Sequence, residues 1–213
     1  MPSPLTHGLL PMACALSSAR TLVKLTASQW RALALICFVL GNSPDIDLIP
    51  ASLWPAHYHT IHRSLGHNAF ALVLWITLGT QALRRWVGSE FRGKTGWIFS
   101  AALVLSHVLL DGSADTIPGT AIRVGVPLLW PFSNWQFLTP LEIFGGYRLV
   151  PASHPIVATL LTPGFWGTVL AREVVCTLFI GTLWFGATKV VEKRKRPPSV
   201  PVRSTDEELP LAS

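Results

Sequence analysis

The chain is short of charge. Only 13% of its 213 residues are Asp, Glu, Lys or Arg, while 50% are hydrophobic. Soluble domains average about 25% charged residues, so this sequence lacks the polar groups to cover a water-facing globule. Cysteine is also sparse: Cys14, Cys37 and Cys176 are widely separated and form no CxxC pair. That excludes a disulfide-stapled module, and each cysteine reads as a small buried hydrophobe. What the chain has instead is a positive mean hydropathy of +0.44 and nine Trp, as expected of a protein anchored at two membrane–water interfaces. The composition indicates an integral membrane protein and fits neither a disordered chain nor a soluble enzyme.

The organisation follows from the apolar runs. Residues 7–19 lack a preceding Lys or Arg and are broken by Pro11, which disfavours a cleaved signal and predicts a retained helix reaching Arg20. Further runs at 32–43, 68–83, 96–111 and 172–190 predict an all-α, polytopic helical bundle with about four to five membrane helices. Several runs are shorter than the ~20 residues that span a bilayer, so they either extend through snorkelling Arg and Lys or pack partly at the interface. Pro44 stops the second run. The Pro-, Gly- and Trp-rich stretch 112–171 is expected to be a long loop between the fourth and last helices, with Trp130 and Trp135 seating it at the headgroups. The expected domains are a membrane-embedded unit over residues 1–192 and a disordered basic and polar tail over 193–213.

Net charge of +6 raises the question of nucleic acid, but the basic residues are placed otherwise. They cluster between apolar runs: Arg20, Lys24 and Arg31; Arg84, Arg85, Arg92 and Lys94; Lys189, Lys193, Arg194, Lys195, Arg196 and Arg203. No aromatic-interleaved basic face appears, and nucleic acid is not an expected partner. Five crossings place thirteen of the seventeen Lys and Arg on one side, which by the positive-inside rule is the cytoplasm. The N-terminus is then outside and the C-terminus cytoplasmic.

This topology gathers metal-type ligands at the outer face. His7 precedes the first helix, Asp45 and Asp47 follow the second, and His62 and His67 precede the third. His107 and Asp111 end the fourth, and Glu173 opens the last. His107 and Asp111 are spaced i,i+4, one turn apart on one helix face. An ionisable residue such as Asp111 in an apolar helix marks function, because its burial is costly. Singly, an Asp after a helix is a turn former and an interfacial His is a hydrogen-bonded anchor. Together, the segments supply imidazole and carboxylate at one level, a donor set suited to Zn²⁺, Mn²⁺ or Fe²⁺. The surplus of ligands suggests two or three ions. His57, His59 and His154 are not expected ligands, and Asp115 and Glu142 stay open.

Thr6-His7-Gly8, Pro44-Asp45-Ile46-Asp47, His62-Arg63-Ser64-Leu65-Gly66-His67, Ser106-His107-Val108-Leu109-Leu110-Asp111 and Gly125-Val126-Pro127-Leu128-Leu129-Trp130-Pro131 resemble, in order, the motifs of the YdjM family. Its members are described as inner-membrane-bound metal-dependent hydrolases. The departures are Gly66 and Asn68 where the family has hydroxyl residues, Leu48 where it has His, and a long insertion at 112–124. The ligand order is more distantly similar to that of zinc-dependent phospholipase C and related nucleases, which hydrolyse phosphoesters with three zinc ions.

The resemblance implies metal-dependent hydrolysis in the cytoplasmic (inner) membrane, with His7, Asp45, His62, His67, His107, Asp111 and Glu173 as ligands and zinc as the ion. Asp47 is expected to act in catalysis, as ligand, orienter of an imidazole or general base. Arg63 either holds an anionic group or anchors the interface. The expected partners are membrane lipid and a small-molecule or lipid-linked substrate, a phosphoester by preference. Two other readings use the same residues: an ion- or proton-handling transporter, and a non-catalytic membrane protein with a structural metal. Ligands collected at one face favour a site over a conduction path, and a ligand surplus without Cys disfavours a closed structural site.

Overall fold

A computed structural model describes residues 3–54, 58–113, 125–140, 143–144, 167 and 171–195. Those residues form an all-α bundle. Five helices have fourteen or more residues: α1 (Pro4–Leu22), α2 (Ala27–Asn42), α5 (Ala69–Ala82), α6 (Lys94–Gly112) and α7 (Ala171–Lys195). Two short helices, α3 (Leu48–Leu53) and α4 (Tyr58–Leu65), lie between α2 and α5.

Local chemistry sets most boundaries. Pro4 opens α1 at a position whose N–H would have no helical partner anyway. Thr26 and Gln29 form a reciprocal capping box at the start of α2. Asn68 caps α5 by accepting from Ala71 N at 3.0 Å. Gly93 enters α6 with φ of 60°, the left-handed region in which a side chain is strained.

Pro44 ends α2 as its sequence predicts, yet the chain does not turn away. It tightens into a 3₁₀ turn, Ser43–Asp47, and resumes as α3. Proline is compatible with the first turn of a helix, so it ends one helix and opens the next. The result is a continuous apolar rod, Ala27–Ala51, of 25 residues. With Lys94–Gly112 and Ala171–Arg194, it is one of three segments long and apolar enough to cross a membrane. The His-rich stretch after α3, expected as a loop, contains α4 instead. The basic end of α7 is helical to Lys195; residues 196–213 of the expected tail lie outside the described residues, as does most of 112–171.

Leu33, Cys37, Leu40, Leu72, Leu83, Val87, Leu103 and Val104 form the buried core among α2, α5 and α6. Hydrocarbon is as apolar as leucine, so close packing rather than removal from water drives this association. Cys37 is buried in this core, and Cys14 and Cys176 flank a second cluster of Leu10, Leu110 and Phe144. Residues 125–140 fold across one end of the bundle. Val126 and Phe137 pair as an antiparallel bridge, and Ala69 N donates to Leu128 O at 2.9 Å. Thr139 N donates to Gly112 O at 3.1 Å, satisfying a carbonyl at the end of α6.

Candidate metal centre

Six of the seven expected ligands converge at one end of the bundle: His7, Asp45, His62, His67, His107 and Asp111 are all buried. Asp45 and Asp47 belong to the 3₁₀ turn. At three residues per turn, side chains two positions apart diverge by roughly 120°, so the two carboxylates serve different sides of the cluster. His107 and Asp111, one α-turn apart, point the same way, with His107 Nε2 3.6 Å from Asp111 Oδ2.

Four donor atoms face a common centre. His67 Nε2 lies 3.1 Å from His107 Nε2, 3.2 Å from Asp111 Oδ2 and 3.7 Å from Asp45 Oδ1. His107 Nε2 lies 3.4 Å from Asp45 Oδ1. A tetrahedral ion with bonds of about 2.0–2.1 Å has ligand–ligand edges of about 3.3 Å; the His–His and His–Asp separations run from 3.1 to 3.7 Å, and all four donor atoms lie within 4.8 Å of one another.

The imidazoles are oriented from behind. His107 Nδ1 donates to Gly41 O at 2.7 Å, and His67 Nδ1 donates to His62 O at 3.1 Å. A carbonyl only accepts, so these Nδ1 atoms carry protons, and in its neutral form each ring would present an Nε2 lone pair to the centre. His62 Nδ1 is 2.6 Å from Asp47 Oδ1, which leaves its Nε2 3.9 Å from Asp45 Oδ1.

Several buried polar atoms have no hydrogen-bond partner among the described residues: both Asp45 oxygens, Asp111 Oδ1 and both His7 nitrogens. An orphaned buried polar atom costs about 1–3 kcal/mol, more when charged. His7 Nε2 approaches Asp111 Oδ1 to 3.0 Å without hydrogen-bond geometry, and its ring stacks on His107 with centroids 3.8 Å apart. Converging lone pairs on carboxylate and imidazole are the arrangement a divalent cation would satisfy. Asp45, His67, His107 and Asp111 could therefore hold a metal ion, and Asp47, His62 and His67 make a second, overlapping group.

Two further expected site residues have their carboxylates engaged by neighbouring protein groups. Asp47 sits behind the imidazoles: Oδ1 accepts from His62 and Oδ2 accepts from Gly66 N at 2.8 Å. Glu173, also buried, is turned to the start of α1. Its Oε1 accepts from Ser3 N at 2.8 Å and its Oε2 from the hydroxyls of Ser3 and Thr6. The side chains of Arg63 and His59 lie outside the described residues, as do His57, Asp115, Glu142 and His154. Trp135 is exposed and Trp130 half-buried on the loop that crosses the bundle.

Sequence reasoning missed the backbone acceptors at Gly41 and His62, which carry no side-chain signature. It also missed the purpose of Gly66, where a Cβ would strike the Pro44 carbonyl and lie 2.8 Å from Asp47 Oδ2. Glycine is required there for the turn carrying His67 to reach the Asp45–Asp47 turn.

No solved structure matches the chain. It is 28% identical over 197 residues to the inner membrane protein YbcI of Escherichia coli strain K12, covering 87% of this chain and 98% of that protein. The YdjM inner membrane protein family matches residues 1–194, which include every residue of the cluster. The chain belongs to the YdjM family of inner membrane proteins.

Proposed function

We propose that this inner membrane protein is a metal-dependent hydrolase acting on a phosphoester or lipid-linked substrate at the outer face of the membrane. The observation that carries the reading is the four-donor set of Asp45, His67, His107 and Asp111, buried and with its ligand atoms all within 4.8 Å of one another. Zinc suits two imidazoles and two carboxylates at those spacings. Asp111 Oδ2 serves this centre while Oδ1 faces His7, so His7 and Asp111 offer donors to a second ion through a shared carboxylate. A divalent ion held there would supply Lewis acidity and a water acidified to near neutral pH.

The chain's own residues do the rest. Asp47 is a positioning residue, which fixes the His62 ring through Nδ1 and draws Gly66 and the His67 turn towards α3. Glu173 holds the first turn of α1, and through it the position of His7. Arg63, next to His62 on α4, supplies a cation for an anionic substrate. The family supports a place in the inner membrane, and the buried cluster supports metal binding.

The test is metal analysis of protein purified in detergent, combined with hydrolysis of bis(4-nitrophenyl) phosphate and phospholipids, for wild type, His107→Ala and Asp111→Ala. Bound zinc and hydrolysis in the wild type, both lost in the two variants, are expected. Undiminished metal in both variants would remove the ligand assignment, and wild-type metal without hydrolysis of any substrate would remove the enzymatic one.

A further inference from the structure

The cluster is surrounded by apolar side chains that point away from it. Next to His7 are Leu5 and Leu9, between Asp45 and Asp47 is Ile46, before His67 is Leu65, and between His107 and Asp111 is Leu109. These five are 41–52% exposed, whereas the ligand residues they flank are 6% exposed or less. A displacement of two residues carries a side chain about 200° around an α-helix, which turns Leu5 and Leu9 away from His7 on α1 and Leu109 away from His107 and Asp111 on α6.

The α2–α3 rod carries such an outward face on both sides of its turn. Leu35, Val39, Ile46, Ile49 and Leu53 are all exposed, spaced four, seven, three and four residues apart on one helical face. Broken at the turn, where Asn42 is half-buried and Ser43 buried, the apolar stripe resumes beside the two aspartates at Ile46 and runs on for two further turns. A site in water above the membrane would instead carry polar residues at these positions, because exposed apolar stripes in water are rare and mark a partner.

We propose that the metal centre lies at hydrocarbon depth, with the acyl chains of the bilayer packed against this apolar belt at the level of the ligands, so that its substrate is an amphiphile reaching it along the lipid phase. The substrate clause rests on the hydrolase reading above; the depth of the belt does not. Bilayer depth also accounts for the completeness with which His107 and Asp111 are screened, since an ionisable group there is tolerated only inside the protein.

Two measurements on the 213-residue chain in phosphatidylglycerol–phosphatidylcholine vesicles decide the matter. Spin labels are placed singly by Ile46→Cys and Leu109→Cys, with Cys14, Cys37 and Cys176 replaced by Ala. Leu35→Cys marks mid-membrane and Arg92→Cys marks water. The expected result is an oxygen-to-nickel-chelate accessibility ratio at residues 46 and 109 equal to that at residue 35. A ratio like that at residue 92 would overturn the proposal, and so would protection from both reagents, which would place protein on the belt.

The second measurement uses unsubstituted protein loaded with zinc. Lipid-soluble phenanthroline should remove the metal while water-confined EDTA leaves most of it in place; equal rates would overturn the proposal. Failure of the wild type to retain zinc would count against the metal centre, leaving the accessibility ratio to decide depth by itself.

Discussion

An imidazole offers a lone pair to a metal only when its other nitrogen holds the proton. His107 and His67 meet that condition through backbone carbonyls and His62 through the Asp47 carboxylate, which makes Asp47 the member of this supporting layer that mutation can reach. In Asp47→Asn one amide oxygen can still accept from His62, but the amide NH₂ would face the Gly66 N–H, donor against donor. Loss of such a supporting group typically weakens metal affinity about 10–100-fold. The expected outcome is unchanged zinc stoichiometry at saturation with affinity reduced by that factor, measured by chelator competition. Reduced stoichiometry would make Asp47 a ligand instead. The identities of the clustered residues were legible because separate segments, ordered by charge, brought imidazole and carboxylate to one level. The division of labour between Asp45 and Asp47 was not, because only the 3₁₀ geometry of their turn decides which faces the Nε2 atoms. The surroundings of Glu173 were equally hidden, since Ser3 and Thr6 satisfy it from the far end of the chain.

At the scale of elements, the site depends on two close approaches at glycine. A Cβ on Gly41 would meet the His7 carbonyl, and one on Gly66 would meet the Pro44 carbonyl. Both obstacles are backbone, which cannot rotate aside as a side chain can. Overpacking of this kind costs about 1–3 kcal/mol, and here it would also move donors: Gly41→Ala presses α2 off α1 and shifts the carbonyl that orients His107, while Gly66→Ala parts the His67 turn from the Asp45–Asp47 turn. Both variants are expected to lower the thermal midpoint and the bound zinc together. Gly181→Ala in α7, where a Cβ meets nothing within 4 Å, should leave zinc content unchanged and remove the helix penalty of glycine. Zinc retained in full by Gly66→Ala would show that the approach is not needed for the centre. The long helices were readable from apolar runs bounded by turn and charge signals. α3 and α4 were not, because Pro44 reads as the end of its run and a short His-rich segment looks like a loop.

For the whole molecule, charge sorting and fold agree on which segments share an end. Gln29, at the start of α2, donates from Nε2 to Val87 O at 2.5 Å, joining the Arg20–Arg31 region to the Arg84–Lys94 turn at the end of the bundle away from the cluster. Cytoplasmic loops retain an excess of Lys and Arg, and thirteen of the seventeen basic residues fall at this end or in the stretch from Lys189 onward. The ligand end is therefore expected to face outward. A C-terminal alkaline phosphatase fusion reports this directly, because the enzyme matures only after export. It should be inactive, and a fluorescent protein fused at the same point should fluoresce. An active phosphatase with a dark fluorescent partner would invert the molecule and turn the metal centre towards the cytoplasm. The cluster's geometry would be untouched by that result, since its distances depend on packing alone, but its substrate would then have to be sought in the inner leaflet.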